Sequence, residues 1–386
     1  MYIEIGDAIG LFLSLKPTSP SDKKKKEQVE DILIQSVLAI EQGLHCVNTQ
    51  SDNCAFLIYK NAESKKVKRV YYHIYQHYST YLAGFKKRLS NFVRIEPCSN
   101  EITRKTIKGN KCVTTVNLDF AEQTSFWQST AFLPENIRDS RFFTRIACYK
   151  KDKIFDNIKY SFTREQGQGS RAIDTYECRC AEKKFIFALI DNDISNPNAS
   201  VKKDSTAGKF LNSPYKNAPN GFFHILNVHE IENLFSSKSF IAKVNKDIAK
   251  KMESYGKIDP NIRIYYDMKE GFSFKKIMQN TYMQQFATKP IQPCAKHLKK
   301  GKCPNKKCSK TILPSLGSDY LEKLFGNDPN FKEDVKAIES KTCLEFSTNF
   351  KNAYEELIEP IKKEWNNIYI YFLTYFCSYQ LNLSAD

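Results

Sequence analysis

The clearest hydrophobic pattern in the chain is a continuous apolar run from Phe185 to Ile190, which follows two lysines and precedes Asp191 and Asp193. A run of this length bounded by charge predicts a strand buried on both faces, as in parallel sheets. Open α/β sheets bind ligands at the carboxyl ends of such strands. Two carboxylates at this position offer hard oxygen ligands to Mg²⁺ or Mn²⁺. An ordinary turn after the strand is the alternative.

Strands and helices alternate around this run, which predicts βαβ units and an α/β fold with a mostly parallel sheet flanked by helices. The pattern predicts further strands over 112–118, 158–162, 222–227 and 261–266, and helices over 134–151 and from residue 171.

Three of the predicted strands end in acidic residues. They are Asp119 with Glu122, Asp191 with Asp193, and Glu230 with Glu232. Equivalent ends of parallel strands lie on one edge of a sheet, so we expect these acids to converge. Converging carboxylates repel one another unless a cation neutralises them, and a divalent metal ion is the simplest solution. A helix cap or a solvated turn is the alternative for each acid, and it is the expected role of Glu230.

Residues 1–110 predict a mainly helical region. Apolar residues recur at helical spacing from Val29 to Ile40, after a basic run, Lys23–Lys26, that predicts a solvated loop. A second helical pattern over 65–92 is dense in basic and aromatic residues. A core helix with a solvated basic face is one interpretation, and a nucleic-acid-binding face is the other.

Composition favours a polyanionic partner. The chain has 386 residues, which indicates two or three domains, and its net charge of +16 points to nucleic acid. The first residues lack the features of a signal peptide, and no stretch has the ~20 apolar residues needed to cross a bilayer. We therefore expect a cytoplasmic protein without membrane contact, whose 12 cysteines are reduced thiols or metal ligands.

A cluster of soft ligands predicts a structural Zn²⁺ site, a zinc knuckle over 286–312. The four ligands are Cys294, His297, Cys303 and Cys308. Six lysines among them would contact phosphate groups of nucleic acid: Lys296, Lys299, Lys300, Lys302, Lys306 and Lys307. An exposed basic loop with free thiols is the alternative.

The remainder, 313–386, predicts a C-terminal helical region that ends in an apolar, aromatic segment over 368–381. Burial of this segment against the rest of the chain is the first expectation. A contact with a second copy in a homodimer, or with a partner protein, is the second.

The order of motifs between residues 112 and 275 carries a family resemblance. A strand-end acid precedes Phe126-Trp127; a Gly-rich turn, an apolar strand ending in Asp191-x-Asp193, and a strand followed by Glu232-Asn233 come next. This order resembles the Toprim domain. More narrowly, it is similar to the Toprim-type nuclease subunits that accompany ABC-type ATPases in bacterial anti-phage systems, relatives of the overcoming-lysogenization-defect nucleases. Asp119 stands where that family usually has a glutamate.

The resemblance implies a Toprim-like catalytic core over 111–285 and Mg²⁺-dependent (or Mn²⁺-dependent) endonuclease cleavage of tRNA or DNA, by an effector that an ATPase partner releases. It implies a set of roles for six residues: Asp119, Glu122, Asp191 and Asp193 as Mg²⁺ ligands, Glu232 as a further ligand and Lys269 as a stabiliser of the scissile phosphate. The chief alternative is a non-catalytic nucleic-acid-binding protein with a degenerate Toprim-like core and a zinc knuckle. A structural subunit that only holds an ATPase is a third possibility.

Overall fold

The protein is an α/β structure of mostly parallel sheets flanked by helices. The computed structural model describes a defined set of residues: 1–80, 82, 84–97, 102–107, 111–151, 158–196, 198–237, 260–273, 311–313, 320–325, 348–379 and 381. The predicted zinc ligands Cys294, His297, Cys303 and Cys308 and the six lysines among them lie outside the described residues, so the zinc knuckle stays a prediction.

The first sheet has five strands in the order β2-β1-β3-β5-β4, and only the β4–β5 pairing is antiparallel. Its strands are β1 (Tyr2–Ile5), β2 (Cys46–Thr49), β3 (Asn91–Ile95), β4 (Thr103–Ile107) and β5 (Lys111–Val116). The helices that connect and follow them are α1 (Asp7–Ser14), α2 (Pro20–Glu41), α3 (Asp52–Asn61), α4 (Lys65–Gln76), α5 (Phe85–Arg88) and α6 (Leu118–Ala121).

This sheet corrects two expectations for the N-terminal region. Helices do contribute most residues before residue 110, but they are organised on a sheet that the sequence did not predict. The strand predicted over 112–118 is β5, which pairs with β3 of this same sheet. A boundary at residue 110 therefore falls inside the sheet and does not separate two domains.

Helix α2 also begins earlier than predicted, because Lys23–Lys26 lie in its first turns and not in a loop. Ser19 caps the helix by accepting a hydrogen bond from the backbone N–H of Asp22 at 3.1 Å, and Pro20 occupies the first helical position. Both residue types are favoured at those positions, and lysine is a good helix former. These local signals explain why a charged stretch is helical here.

The second sheet has four strands in the order β10-β9-β6-β8, and all three pairings are parallel. Its strands are β6 (Thr130–Pro134), β8 (Phe162–Arg164), β9 (Ile186–Ile190) and β10 (Gly221–Ile225). Helices α7 (Ser140–Lys150), α8 (Ala172–Ala181) and α9 (Thr206–Asn212) lie between these strands in the chain. Every residue of β9 is buried, so the prediction of a doubly covered central strand is confirmed.

Two predicted elements of this region are wrong. Residues 134–151 are not one helix: β6 ends at Pro134, a 3₁₀ turn covers Ile137–Asp139, and α7 begins at Ser140. The predicted strand over 261–266 contains instead a short helix, α10 (Pro260–Arg263). Proline at the first helical position favours this turn, because its fixed φ angle suits a helix start.

The last long helix covers the second sheet. The remaining elements are β7 (Lys159–Tyr160), β11 (Phe272–Ser273), α11 (Tyr320–Phe325), β12 (Thr311–Leu313), α12 (Thr348–Glu355), α13 (Glu359–Phe376) and β13 (Cys377–Ser378). Phe376 of α13 packs on Phe132 of β6 and Phe162 of β8, with ring centroids 5.1 and 4.9 Å apart. Burial of the C-terminal aromatic segment against the rest of the chain is therefore confirmed.

Helix α13 also reaches the first sheet. The Thr374 hydroxyl oxygen accepts a hydrogen bond from the backbone N–H of Ser90 at 3.1 Å, and Tyr379 donates its backbone N–H to the carbonyl of His45. The C-terminal segment therefore joins the two sheets. Within the described part of the chain, no helix combines the length and the apolar character that a bilayer crossing requires.

Candidate functional site: an acidic edge of the second sheet

The carboxyl edge of the second sheet gathers acidic residues from three strands. Glu135 directly follows β6, and Asp191 and Asp193 follow β9. Glu230 and Glu232 lie in the segment after β10. Because the three strands are neighbours and parallel, their carboxyl ends lie side by side. This group, together with Asp139 and Lys269, is called the acidic edge below.

Glu135 and Asp191 are joined directly. The backbone N–H of Asp191 donates to Oε2 of Glu135 at 3.2 Å, and the Thr206 hydroxyl at the start of α9 donates to Oε1 at 3.1 Å. Oδ1 of Asp191 accepts the backbone N–H of Ile231 at 3.2 Å. The ends of β6 and β9 and the segment after β10 are thus tied together through their acidic side chains.

The loop that carries Asp193 has a constrained backbone. Asp193 adopts a left-handed conformation with φ of 55°, which few non-glycine residues tolerate. The backbone N–H groups of Asn192 and Asp193 both donate to the carbonyl of His229, at 3.1 and 3.0 Å. His229 therefore fixes the loop from the neighbouring segment. Such local strain is concentrated at functional sites.

One lysine lies among the acids in the part of the chain that the structure describes. Lys269 Nζ is 3.7 Å from Oδ2 of Asp191, 3.5 Å from Oε2 of Glu230 and 3.2 Å from Oε2 of Glu232. Glu230 holds this segment in turn, since its Oε1 accepts the backbone N–H groups of Met268 and Lys269 at 2.6 and 3.0 Å. Glu230 also caps the 3₁₀ turn Ile231–Phe235, which agrees with its expected capping role.

Burial changes the protonation of the acids nearest β6 and β9. It raises the pKa of Glu135 to about 7, and the negative charges of Asp191 and Asp193 add to the rise. Burial likewise raises the pKa of Asp191 to about 7, against the opposing charge of Lys269. For Asp139, burial raises the pKa to about 6. Burial therefore makes each of these carboxyls harder to ionise than an exposed acid.

The acids after β10 behave in the same way. Burial raises the pKa of Glu230 to about 7, although Lys269 opposes the rise, and it places the pKa of Glu232 well above its usual value. Burial lowers the pKa of Lys269, but Asp191, Glu232 and Glu230 raise it by more, so this ammonium stays charged. Within the described part of the chain, the ammonium of Lys269 therefore lies among five carboxyls with raised pKa values, which protons or a further cation would balance.

The donor chemistry fits a hard divalent cation, because carboxylate oxygens are its preferred protein ligands. Oε2 of Glu232 is buried and accepts no hydrogen bond from any residue that the structure describes. The positions of the described side chains do not match this donor chemistry. Among the described residues, no group of three or more histidine, cysteine, aspartate or glutamate side chains is positioned to hold a metal ion. The Lys269 ammonium lies at the centre of the group instead.

Asp119 and Glu122 do not belong to the acidic edge. Asp119 lies on α6 and Glu122 directly follows it, after β5 of the first sheet, and both are exposed. The Gln28 side-chain amide donates to both, at 3.0 Å to Oδ1 of Asp119 and 2.7 Å to Oε2 of Glu122. The sequence grouped them with Asp191 because β5 was taken as a strand of the same sheet. Of the predicted catalytic residues, Asp191, Asp193, Glu232 and Lys269 are brought together.

Glu135 and Asp139 were missed by sequence reasoning. The signal was present: Thr130–Pro134 is a short apolar run followed at once by an acid, although it comes after Phe126-Trp127 and not before that pair as in the family order. Pro134 was read instead as the start of a helix, since proline favours that position.

Comparison of the chain with protein-family models, with curated proteins and with solved structures finds no match. The fold and the acidic edge therefore carry the functional argument.

Proposed function

We propose that this protein is a metal-dependent endonuclease with a Toprim-like core, which hydrolyses phosphodiester bonds in tRNA or DNA. The observation that carries the proposal is the convergence of Glu135, Asp191, Asp193 and Glu232 on one edge of a parallel sheet, with Lys269 among them. Perturbed carboxyl pKa values clustered at a sheet edge are typical of functional sites. With Glu135 as the first acid, the site has the glutamate that the family usually shows, but this glutamate follows Phe126-Trp127 instead of preceding that pair.

Each residue has a role in this proposal. Glu135, Asp191 and Asp193 would hold Mg²⁺ or Mn²⁺, with Glu232 as a further ligand. The bound ion would supply Lewis-acid stabilisation of phosphate oxygens and lower the pKa of a water ligand. Lys269 would donate to the negative charge that develops on the scissile phosphate. Glu135 would also accept a proton from the attacking water; its pKa of about 7 applies without a bound ion, which would lower it. Glu230 positions Lys269 through the backbone hydrogen bonds described above.

The family resemblance also implies a biological role, which we include in the proposal. Under it, the chain is the toxin effector of an antiviral defence system and is released or activated by an ABC-type ATPase partner. Co-expression with a candidate ABC-type ATPase, followed by size-exclusion chromatography, tests this part. Co-elution that ATP reverses supports it, and separate elution under all nucleotide conditions contradicts it.

A cleavage assay with matched variants tests the nuclease itself. The full-length protein is incubated with tRNA and with plasmid DNA in Mg²⁺, Mn²⁺ or EDTA. We expect cleavage that requires a metal ion and is lost in Glu135→Gln and in Asp191→Asn. Asp119→Asn is the control, because it removes the same kind of side chain from exposed helix α6. Equal loss in the control would contradict the assignment of the site.

A second candidate function is supported by the position of Lys269. Its ammonium lies between carboxylates at the place where a cation would be needed, and no metal-ready group exists among the described residues. This arrangement suits a non-catalytic nucleic-acid-binding protein with a degenerate core. Binding of tRNA or DNA without cleavage under any metal ion would favour this second function.

A further inference from the structure

Helices α3 and α4 carry two pairs of aromatic rings on their joint outer face. Phe56 pairs with Tyr75 at 5.3 Å between ring centroids, and Tyr59 pairs with Tyr72 at 4.8 Å. Residue numbers rise along one helix as they fall along the other, so the helices run antiparallel and the two pairs lie in a row. This row of four rings is called the ring row below.

The ring row lies at the margin of the core, because Tyr59 and Tyr75 are partly buried and pack against it. The buried positions of α3 are Cys54, Ala55 and Ile58, and those of α4 are Val67, Val70, Tyr71 and Ile74. The ring-row residues fall between these positions. Tyr72 is 45% exposed, and the other three rings are half-buried. Their flat faces are therefore accessible in part from solvent.

Positive charge surrounds the ring row. Lys60 Nζ lies 4.9 Å from the Tyr59 ring centroid and 5.6 Å from that of Phe56. Between residues 60 and 69 the sequence places five cationic side chains against one acid, Glu63. Lys65 and Arg69 at the start of α4 are exposed. Rings and cations thus occupy one continuous surface.

Aromatic rings beside cations favour one class of binding partner over others. An aliphatic groove would suit a partner helix, whereas rings beside cations suit a polyanion with flat aromatic groups. Single-stranded nucleic acid has both, because unpaired bases stack on aromatic rings while phosphates contact lysine and arginine. A duplex hides its base faces and uses only the charges.

We propose that the ring row of α3 and α4 is a binding platform for single-stranded nucleic acid, with bases stacked on Tyr59 and Tyr72 and phosphates contacted by Lys60 and Lys65. The platform belongs to the helices of the first sheet and is separate from the acidic edge. Binding there does not require cleavage, so the proposal goes beyond the nuclease function and stands without it.

Fluorescence anisotropy with the full-length protein in EDTA tests the platform. The probes are fluorescein-labelled oligo(dT) and oligo(U) of about 12 nucleotides and a DNA duplex of equal length. We expect the Tyr59→Leu/Tyr72→Leu variant to bind single strands at least about tenfold more weakly, because two stacking contacts are lost. Tyr59→Phe/Tyr72→Phe keeps the rings and should bind like the wild type. Circular dichroism on each variant verifies that the fold is kept.

Charge variants test the same surface independently. Lys60→Gln/Lys65→Gln should weaken binding and reduce the slope of log K against log salt by about 1.4, since each lost phosphate contact on a single strand contributes about 0.7. Lys24→Gln/Lys25→Gln on α2 is the control, because it removes two exposed lysines and the same net charge elsewhere.

Three results would overturn the platform: wild-type affinity in the Leu variant, equal loss in the Lys24→Gln/Lys25→Gln control, or duplex binding as tight as single-strand binding. Failure of the nuclease proposal is seen separately. In that case no metal ion supports cleavage, while binding in EDTA still depends on Tyr59 and Tyr72.

Discussion

The two sheets treat buried acids in opposite ways. In the first sheet, Glu4 of β1 is almost completely buried, and two cations pair with it. Lys86 contacts Oε1, and Arg94 donates to Oε2 from Nε at 2.7 Å. In the second sheet, Lys269 is shared by Asp191, Glu230 and Glu232 at longer distances. Among the described residues, Glu4 of the first sheet is matched by two cations, whereas Asp191, Glu230 and Glu232 of the second share one ammonium.

The difference separates structural from functional acids. A buried carboxylate that is matched by hydrogen-bonded cations can be tolerated in a fold, whereas unmatched buried charge costs stability. Since this chain can match the buried charge of Glu4 with cations, folding alone does not require unmatched acids at the acidic edge. Under the proposed function, the acids that outnumber their cations among the described residues of the acidic edge would bind a metal ion, at the cost in stability that functional sites impose.

The largest expected effect is on the cleavage rate, and it should follow a change in the second sheet but not in the first. Glu135→Gln should lower the metal-dependent cleavage rate by about 1000-fold, because a ligand and proton acceptor acts directly on the reacting atoms. The measurement is single-turnover cleavage of tRNA and plasmid DNA. Glu4→Gln changes an acid of the first sheet and should retain cleavage per folded molecule. Similar losses in both variants would remove the functional distinction between the sheets.

The second-largest expected effect is on stability, and here the change is made in the first sheet. Glu4→Gln should lower the free energy of unfolding by about 3 kcal/mol, because it leaves Arg94 and Lys86 without their shared carboxylate. Urea denaturation followed by circular dichroism measures the change. Glu122→Gln on the exposed surface should change it by less than about 0.5 kcal/mol. A Glu4→Gln protein as stable as the wild type would show that this ion pair does not stabilise the first sheet.

A smaller effect is the pH dependence of stability that the acidic edge imposes. The folded pKa values of Glu135, Asp191 and Glu230 are raised to about 7, so the folded state binds protons more tightly than the unfolded state. Their contribution to stability is complete below about pH 4 and is lost as the pH rises through about 7. In EDTA, stability should therefore fall between about pH 5 and pH 8 by at least about 2 kcal/mol, which is roughly the change for one such carboxyl alone.

A variant that lacks one of the acids tests whether the acidic edge causes this pH dependence of stability. Glu232→Gln removes one of the mutually repelling acids, so its stability should fall less with rising pH than that of the wild type. Glu122→Gln should follow the wild-type curve. Mg²⁺ added at about pH 8 should restore stability in the wild type if the acids bind it. Parallel curves for wild type and Glu232→Gln would show that these acids do not set the dependence.

The smallest effect concerns the fine adjustment of Glu135. The Thr206 hydroxyl donates to Oε1 of Glu135 and lowers the pKa of that carboxyl. Thr206→Val should raise the pKa of Glu135, move the acidic limb of the pH–rate profile to higher pH and slow cleavage about threefold near pH 7. Thr206→Ser keeps the hydroxyl and should keep the wild-type profile. An unchanged profile in Thr206→Val would exclude this role for Thr206.

The sequence predicted the parts of the fold that carry strong local signals. The apolar run that became β9 is unambiguous, because a buried parallel strand needs side chains of one kind on both faces. Strands β1 and β2 have four residues each and were missed, since so short a run shows no period. Lys23–Lys26 were assigned to a loop from their charge, although the cap at Ser19 precedes them.

The candidate site was predicted in part for a related reason. Asp191 and Asp193 follow an obvious strand, so their position at a sheet edge could be inferred. Which other acids join them depends on which strands are neighbours, and that is a property of the assembled sheets. Asp119 follows a convincing strand, β5, but β5 pairs with β3 and not with β9. Glu135 follows the strand that does pair with β9, and no local feature of its sequence records that pairing.

The hydrogen bond between Ser90 and Thr374 has a consequence for folding during synthesis on the ribosome. It joins positions 284 residues apart, and α13 supplies the rings that cover β6 and β8. A ribosome needs on the order of tens of seconds to add that many residues. During this interval the rings of the second sheet lack the cover that α13 provides, so a nascent chain would depend on chaperones until that helix emerges. Premature termination before residue 359 should yield insoluble product, and no acidic edge would mature in it.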